Sequence, residues 1–392
     1  MLIYVIPAWY PKDEKDTITA CFIREQVHAL KKRGHTIVVI FFQRYSLREL
    51  HKYLKYKNHV WNDNGVITKY HKVFTLAPMR FEKLYHRNVS NKYYKFIKKT
   101  YKEAESIYGC FNQQIIHCHI GQWAGYFCIK AAKKLHVPIV VTEHSSALIN
   151  GSKNDLQFIR EKYVIENADA TIFVGSNMRN YVLDVTKAKG NTVVIPNQIN
   201  VELFKAIREK KRRPFKFLVA GRLVWLKKIK NVIIAFHNEF NKDEDVELLI
   251  AGEGEERDNL EQLVKELGEE QRISFYGKYD REDVSSLFSG CDAFVLTSVL
   301  ETFGIVYLEA MICGLPCIGT KGQGSDDIIT DSNGLSVNCG DISDLQKAMR
   351  IIYENIDKYD PNIIRKYVID HFSEEAVCKQ IEYLYSKLLN YK

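Results

Sequence analysis

The stretch Glu301-Thr-Phe-Gly-Ile-Val-Tyr-Leu-Glu309-Ala-Met-Ile-Cys-Gly-Leu-Pro-Cys-Ile318 decides how this chain is read. It follows an apolar, strand-like run, Ala293-Phe-Val-Leu-Thr-Ser298, and Gly304 can open a helix that carries Glu309 on its third turn. A helix start presents unpaired N–H groups and the positive end of its dipole, so the backbone from Thr302 through Phe303, Gly304 and Ile305 favours an anion such as a phosphate. The flanking carboxylates of Glu301 and Glu309 accept hydrogen bonds from hydroxyls, as on a sugar and a ribose. The run asks for a phosphorylated, hydroxyl-rich ligand.

Outward from that run, short β-branched segments alternate with helical patterns. Expected strands in the first half are 2–6, 36–42, 115–119, 138–144, 170–175 and 192–196. The second half restarts the pattern at 215–220, 246–251, 272–276, 293–297, 316–319 and 334–337. Such alternation predicts parallel sheets covered on both faces, an α/β class. Two series joined by a charged connector near Val201–Pro214 predict two Rossmann-like domains, and 392 residues are too many for one ordinary core. The cleft between the domains, beyond the carboxyl ends of the strands, is the expected active site. The boundaries read as 1–198, 199–372 and a terminal helix over 373–392. Residues 47–102 read as the irregular part of the first domain.

Hydrophobic content of 46% and charged content of 27% describe an ordinary globular composition. The longest apolar runs, such as Thr36–Phe42, are far too short to span a bilayer. Met1-Leu-Ile-Tyr-Val-Ile-Pro7 reads as a first buried strand rather than a signal peptide. Nine cysteines without a Cys-x-x-Cys pair suggest core residues in a reducing cytoplasm, with no metal site. Charge is uneven: residues 1–198 hold 30 Lys and Arg against 15 Asp and Glu, the remainder 26 against 33. Between Arg80 and Lys102, cations interleave with Phe81, Tyr85, Tyr93, Tyr94, Phe96 and Tyr101. That mixture suits an anionic membrane surface, though a solvated helix with core aromatics fits it too. Nucleic acid is not expected, since no recognition motif accompanies the charge.

Phe217-Leu-Val-Ala-Gly221-Arg222-Leu-Val-Trp-Leu-Lys227-Lys228 places cations just after a strand. Arg222 can fork two phosphate oxygens and a lysine adds a point charge, as a departing nucleoside diphosphate requires. Gly252-Glu-Gly254 and Gly277-Lys278-Tyr279 also close strands. In the first half, His117 and His119 share one face of a strand that ends before Gly121, and Thr142-Glu-His144-Ser145 closes the next. His117 reads as a hydrogen-bonded core histidine.

Glu-x7-Glu followed by Ala-Met-x-Cys-Gly-Leu-Pro strongly resembles the donor-site signature of glycosyltransferase family 4 (glycosyl transferases group 1). The resemblance extends over nearly the whole chain. It implies a GT-B fold and a retaining enzyme that uses a nucleotide-diphosphate sugar. It implies catalytic or charge-stabilising roles for Arg222, Lys227 and Glu301, with His119 on the donor sugar. Glu309 would hold the ribose, Thr302 to Ile305 the sugar and phosphate, and Gly254 and Lys278 the nucleoside. His144, Asn197 at the domain junction and Ala20 in the first glycine loop complete the substrate-binding set. Two departures stand out: Lys228 and Ala20 occupy places where the family usually has glycine. Gly322-Gln-Gly324-Ser-Asp-Asp stands where the family has a Gly-Gly-x-x-Glu helix start, its acid one residue off. No Asp-x-Asp motif closes a strand, so metal-independent transfer without a cofactor is expected.

Other readings share parts of this pattern. A non-catalytic nucleotide-sugar-binding component of an assembly complex would keep the site without turnover. A GT-B sugar-nucleotide epimerase or an α-glucan phosphorylase would share the architecture, the latter with a pyridoxal-phosphate lysine that no motif here supports. A Rossmann dehydrogenase lacks its Gly-x-Gly-x-x-Gly after the first strand. The acceptor suggested by the basic, aromatic first domain is lipid-linked or a lipopolysaccharide at the inner membrane face.

Overall fold

The computed structural model describes residues 1–13, 19–109, 111–148, 155–208, 214–242 and 244–390. Residues 209–213 of the charged connector and 14–18 of the first glycine loop lie outside them. Contacts divide the chain into two units: Met1–Val174 with Arg179–Ile195 and the chain from Cys378 on, and Gly175–Met178 with Pro196–Val377.

In the first unit the strands are β1 (Leu2–Pro7), β2 (Thr36–Tyr45), β3 (His59–Asp63), β4 (Val66–Phe74), β5 (Gln114–His119), β6 (Ile139–Glu143), β7 (Ala170–Phe173) and β8 (Thr192–Val194). They form one sheet in the order β3-β4-β2-β1-β5-β6-β7-β8. Every residue of β1 and β5 is buried, as expected of parallel strands covered on both faces. Their register runs from Leu2↔Gln114 to Pro7↔His119, so the two strands end side by side where the order reverses.

Residues 47–102 are more regular than the sequence suggested. They hold the antiparallel hairpin β3–β4 and most of a 27-residue helix, Glu82–Tyr108. The hairpin turn is Asn64-Gly65, both residues at positive φ (48° and 85°), which matches the twist of the flanking strands. Asn-Gly was the available signal; the polar, alternating β3 and β4 concealed it. The long helix also separates the aromatics of the basic segment. Tyr85 and Tyr93 belong to the core, Tyr94, Phe96 and Tyr101 pack against it, and Phe81 is exposed. The core reading therefore accounts for five of these six rings.

In the second unit the strands are β9 (Phe215–Ala220), β10 (Val246–Ala251), β11 (Ile273–Gly277), β12 (Ala293–Val295), β13 (Cys317–Thr320) and β14 (Gly334–Val337). Their order is β11-β10-β9-β12-β13-β14, with every pairing parallel. This is a Rossmann arrangement whose switch point lies between β9 and β12. β12 stops two residues short of the expected strand. Beyond it the chain leaves the ladder, and Val299 N–H donates to Leu226 O at 2.9 Å. Glu309 is the fifth residue of the helix Ile305–Ile312, hence on its second turn rather than its third.

The helix Glu374–Asn390 follows an extended Ser373. Its later residues belong to the first unit, where Tyr385 Oη lies 2.6 Å from His117 Nδ1 and Glu382 takes both Arg33 and His35.

Candidate active site

In the second unit, the carboxyl ends of β9 and β12 bring the cationic turn to the glutamate loop. Lys227 Nζ donates to Glu301 Oε2 at 2.6 Å, both side chains being largely buried, while Arg222 in the same turn is exposed. The two adjacent lysines separate by backbone conformation. Lys228 is left-handed (φ 49°), which turns its ammonium 3.9 Å over the Trp225 ring and leaves Lys227 toward Glu301. Glycine adopts that conformation without strain, a physical reason for glycine there in the family that the chain resembles. Ala20, at the N-cap of the helix Cys21–Lys32, is left-handed for the same reason (φ 53°). Ala20→Gly should therefore be close to neutral in thermal unfolding. Relief of about 1–2 kcal/mol of left-handed strain offsets the lost methyl burial, about 0.8 kcal/mol, and the added chain freedom. A loss above about 2 kcal/mol would show that no such strain exists.

Glu301 is held from behind. Its N–H donates to Gln323 Oε1 at 3.0 Å, and its carbonyl accepts from Gly324 N–H at 2.9 Å. Asp326 Oδ2 closes the same loop on Gly322 N–H at 2.6 Å, while Asp327 takes the Ser176 N–H and hydroxyl at 2.7 and 2.5 Å. The two acids thus act as loop ties. Phe303 is buried, Thr302 and Ile305 are half-buried, and Gly304 starts the helix at φ 93°. A Cβ on Gly304 would sit 2.6 Å from the Tyr307 ring, whose hydroxyl is fixed on Leu296 O at 2.5 Å.

Glu309 faces the third strand end. Burial, and after it the Glu309 charge, pushes the Tyr279 phenol well above its usual range. Tyr279 was missed in the sequence, although it adjoins Lys278, which is exposed. Gly254 serves close packing, because a Cβ there would lie 2.3 Å from Leu223 O in the cationic turn. Gln323 was missed as well; its signal was its neighbourhood to the displaced acid. Asn197 is buried where the chain enters the second unit, two residues before Ile199 bridges Ser373.

In the first unit, β5 and β6 end in three histidines. His117 is fully buried between Thr142 Oγ1 (2.7 Å) and Tyr385 Oη, and burial lowers its imidazole to about 3. His119 Nδ1 lies 3.0 Å from His144 Nε2 with the rings stacked. Burial foremost, then His117 and His144, holds His119 well below its usual range. Neutral imidazoles can be donor on one nitrogen and acceptor on the other, which suits hydroxyl ligands. Glu143 fixes this arrangement by accepting N–H bonds from Gly121, His144 and Ser145 at 2.7, 2.9 and 2.7 Å.

Behind Glu143, Glu161 is fully buried, and burial together with the Glu143 carboxylate keeps its proton on well above the usual carboxylate range. A group with a raised folded-state pKa supports the fold most below its unfolded value, and that support is lost as pH rises through the folded value. Glu161→Gln keeps the shape and removes the titration. The variant should melt about 2–4 °C above the parent at pH 8, the size of a change of about 1 kcal/mol, with little difference at pH 4. Equal melting temperatures at both pH values would contradict the raised proton affinity of Glu161.

Sequence comparison agrees with this architecture. The profile for glycosyl transferases group 1 matches residues 200–367, and that for Glycosyltransferase Family 4 matches 21–203. Among curated proteins, the N-acetyl-alpha-D-glucosaminyl L-malate synthase of Bacillus anthracis is 27% identical over 293 residues, 71% of this chain and 76% of that protein. Among solved structures, the lipopolysaccharide outer core galactosyltransferase WaaB in its apo form aligns with a TM-score of 0.71 at 19% identity, covering 99% of this chain and 100% of that one. Anabaena HepE in complex with UDP and glucose aligns at 0.69 and 16% identity, with 99% and 100% covered. Two Rossmann-like units in this order define the GT-B class of fold. The chain belongs to the group 1, family 4 glycosyltransferases, and is itself a glycosyltransferase.

Proposed function

We propose that this protein is a retaining, metal-independent hexosyltransferase. It moves a sugar from a UDP- or GDP-linked donor to a glycan or lipid-linked acceptor in cell-surface polysaccharide or lipopolysaccharide synthesis. The observation that carries this reading is the pairing of Lys227 with Glu301 at the switch point of β9 and β12, with Arg222 exposed in the same turn. Residues 199–372 grip the donor: Arg222 and Lys227 take the diphosphate, Glu301 and the amides of Thr302 to Ile305 the sugar, Glu309 the ribose, and Gly254 and Lys278 the nucleoside. Residues 1–198 serve the acceptor, with Ala20 in its first loop and Asn197 at the junction, while His119 offers a neutral imidazole to the hydroxyls of the donor sugar and His144 backs it.

In the reaction, the bond from the anomeric carbon to the phosphate oxygen breaks and its electron pair stays with the diphosphate. The acceptor oxygen bonds to the same face of the oxocarbenium-like sugar, and its proton passes to the departing phosphate oxygen. Arg222 and Lys227 act where negative charge grows, which is where fixed cations lower the barrier most. The likeness to a lipopolysaccharide galactosyltransferase and the basic first half support a lipid-linked acceptor and a peripheral place on the cytoplasmic face of the membrane. Among the described residues no helix is long and apolar enough to cross a membrane.

The test is a mass-spectrometric screen of UDP-, GDP- and ADP-sugars against membrane extracts, with the anomeric configuration of the product read by NMR. Net retention and turnover unchanged by EDTA are expected. An inverted product, or activity abolished by EDTA and restored by a divalent cation, would overturn the mechanism. Donor binding without any transfer would leave a carrier in place of an enzyme.

A further inference from the structure

β2 and β4 end side by side, Tyr45 opposite Phe74, and each leads into a segment that is poorly covered. After β2, a short 3-10 turn and the helix Leu50–Lys55 bury none of their own residues. They expose Leu47, Leu50 and Leu54, the last at 70%. After β4, the chain exposes Leu76 (69%), Met79 and Phe81, and the long helix adds Leu84 at its first turn. The two segments are pinned to the same sheet end. Tyr53 packs on Phe74 with ring centroids 5.1 Å apart, Lys72 Nζ donates to Tyr53 O at 2.6 Å, and Thr75 N–H donates to Tyr45 O at 3.1 Å. Seven large exposed apolar side chains on two segments held at one sheet end are more than scattered surface residues, and such a concentration marks a docking surface.

Charge identifies the occupant. Residues 46–57 contribute Arg48, Lys52, Lys55 and Lys57 against Glu49, and residues 75–87 contribute Arg80, Lys83 and Arg87 against Glu82. Glu82 is drawn off in a bidentate pair with the buried Arg160, whereas Glu49 stays at the surface, tied to Ser46. The rim therefore offers apolar tips among an excess of cations. A bilayer with anionic headgroups fits both, because hydrocarbon takes the leucines while phosphate takes the lysines and arginines.

We propose that the rim formed by residues 46–57 and 75–87 is the surface by which this glycosyltransferase sits on an anionic lipid bilayer. The choice of occupant rests on the membrane-surface reading above and is independent of sugar transfer. This location keeps only the start, Arg80–Arg87, of the segment the sequence suggested, since most of the long helix turns its aromatics into the core.

The full chain is tested by co-sedimentation with vesicles of phosphatidylcholine alone or with 30 mol% phosphatidylglycerol (roughly the anionic content at which such segments adsorb). Binding should be at least about tenfold tighter to the anionic vesicles and should weaken with added salt. Leu54→Ser/Leu76→Ser should lose about tenfold in affinity, and Lys55→Glu/Lys83→Glu more, with UDP binding and melting temperature unchanged as controls of folding. Equal binding to both vesicle types, or anionic binding unaffected in both double variants, would overturn the assignment. So would a dimer in sedimentation velocity that the leucine variant disperses while vesicle binding is absent, since the rim would then belong to a second copy of the chain. Loss of sugar transfer with vesicle binding intact would count against the proposed reaction and leave the rim assignment standing.

Discussion

Lys227→Ala and Arg222→Ala should each lower turnover on the true donor by about 10²–10³-fold, the usual cost of removing one fixed group that stabilises developing charge. Lys228→Ala should stay within a few-fold of the parent. The contrast follows from the backbone: a left-handed Lys228 puts its ammonium on Trp225, and Lys227 alone of the two reaches Glu301. Glu309→Ala should also abolish transfer, chiefly by raising KM for the nucleotide sugar, because it is assigned to the ribose and not to the departing phosphate. Steady-state kinetics with circular dichroism as the folding control decides the matter. Unchanged kcat/KM in Arg222→Ala and Glu309→Ala, or a large loss in Lys228→Ala with Lys227→Ala unaffected, would remove these assignments.

Gly304→Ala should be strongly destabilising. The backbone there has φ 93°, where an alanine is strained by about 1–2 kcal/mol. The new Cβ would meet the Tyr307 ring at 2.6 Å and Glu301 Cγ at 3.2 Å. The ring has no easy retreat, since its hydroxyl is bonded to Leu296 O and its face packs edge-on against Phe294. Overpacking of this kind costs about 1–3 kcal/mol. The sum of about 2–5 kcal/mol should lower the melting temperature by several degrees and displace the amides proposed for the sugar and phosphate. Gly322→Ala is the control: φ there is also positive (76°), but no atom lies within 4 Å of its Cβ. Equal stability of the two variants would mean that Tyr307 is free to move.

Much of this was legible in the sequence because a parallel strand covered on both faces is mostly apolar, and Phe215–Ala220, Val246–Ala251 and Gly334–Val337 were read to their last residue. Local chemistry also fixed the helix start at Gly304. The edge hairpin escaped because half-buried strands carry lysine, histidine and asparagine, which mimic a loop. Its Asn-Gly turn was the only local mark of it.

What the chain determined by itself is the ordered series of strands, the glycines and acids that close them, and the surplus of cations in the first half. Which lysine faces Glu301, that Gln323 holds that loop, and that Glu143 and Glu161 stand together under the histidines were decided by tertiary structure alone. Burial sorted the aromatics of Arg80–Lys102 in the same way, since cations and rings alternate there without showing which face a helix turns inward. Each of these depends on residues tens of positions apart meeting at strand ends, and no local pattern records where a side chain will find its partner.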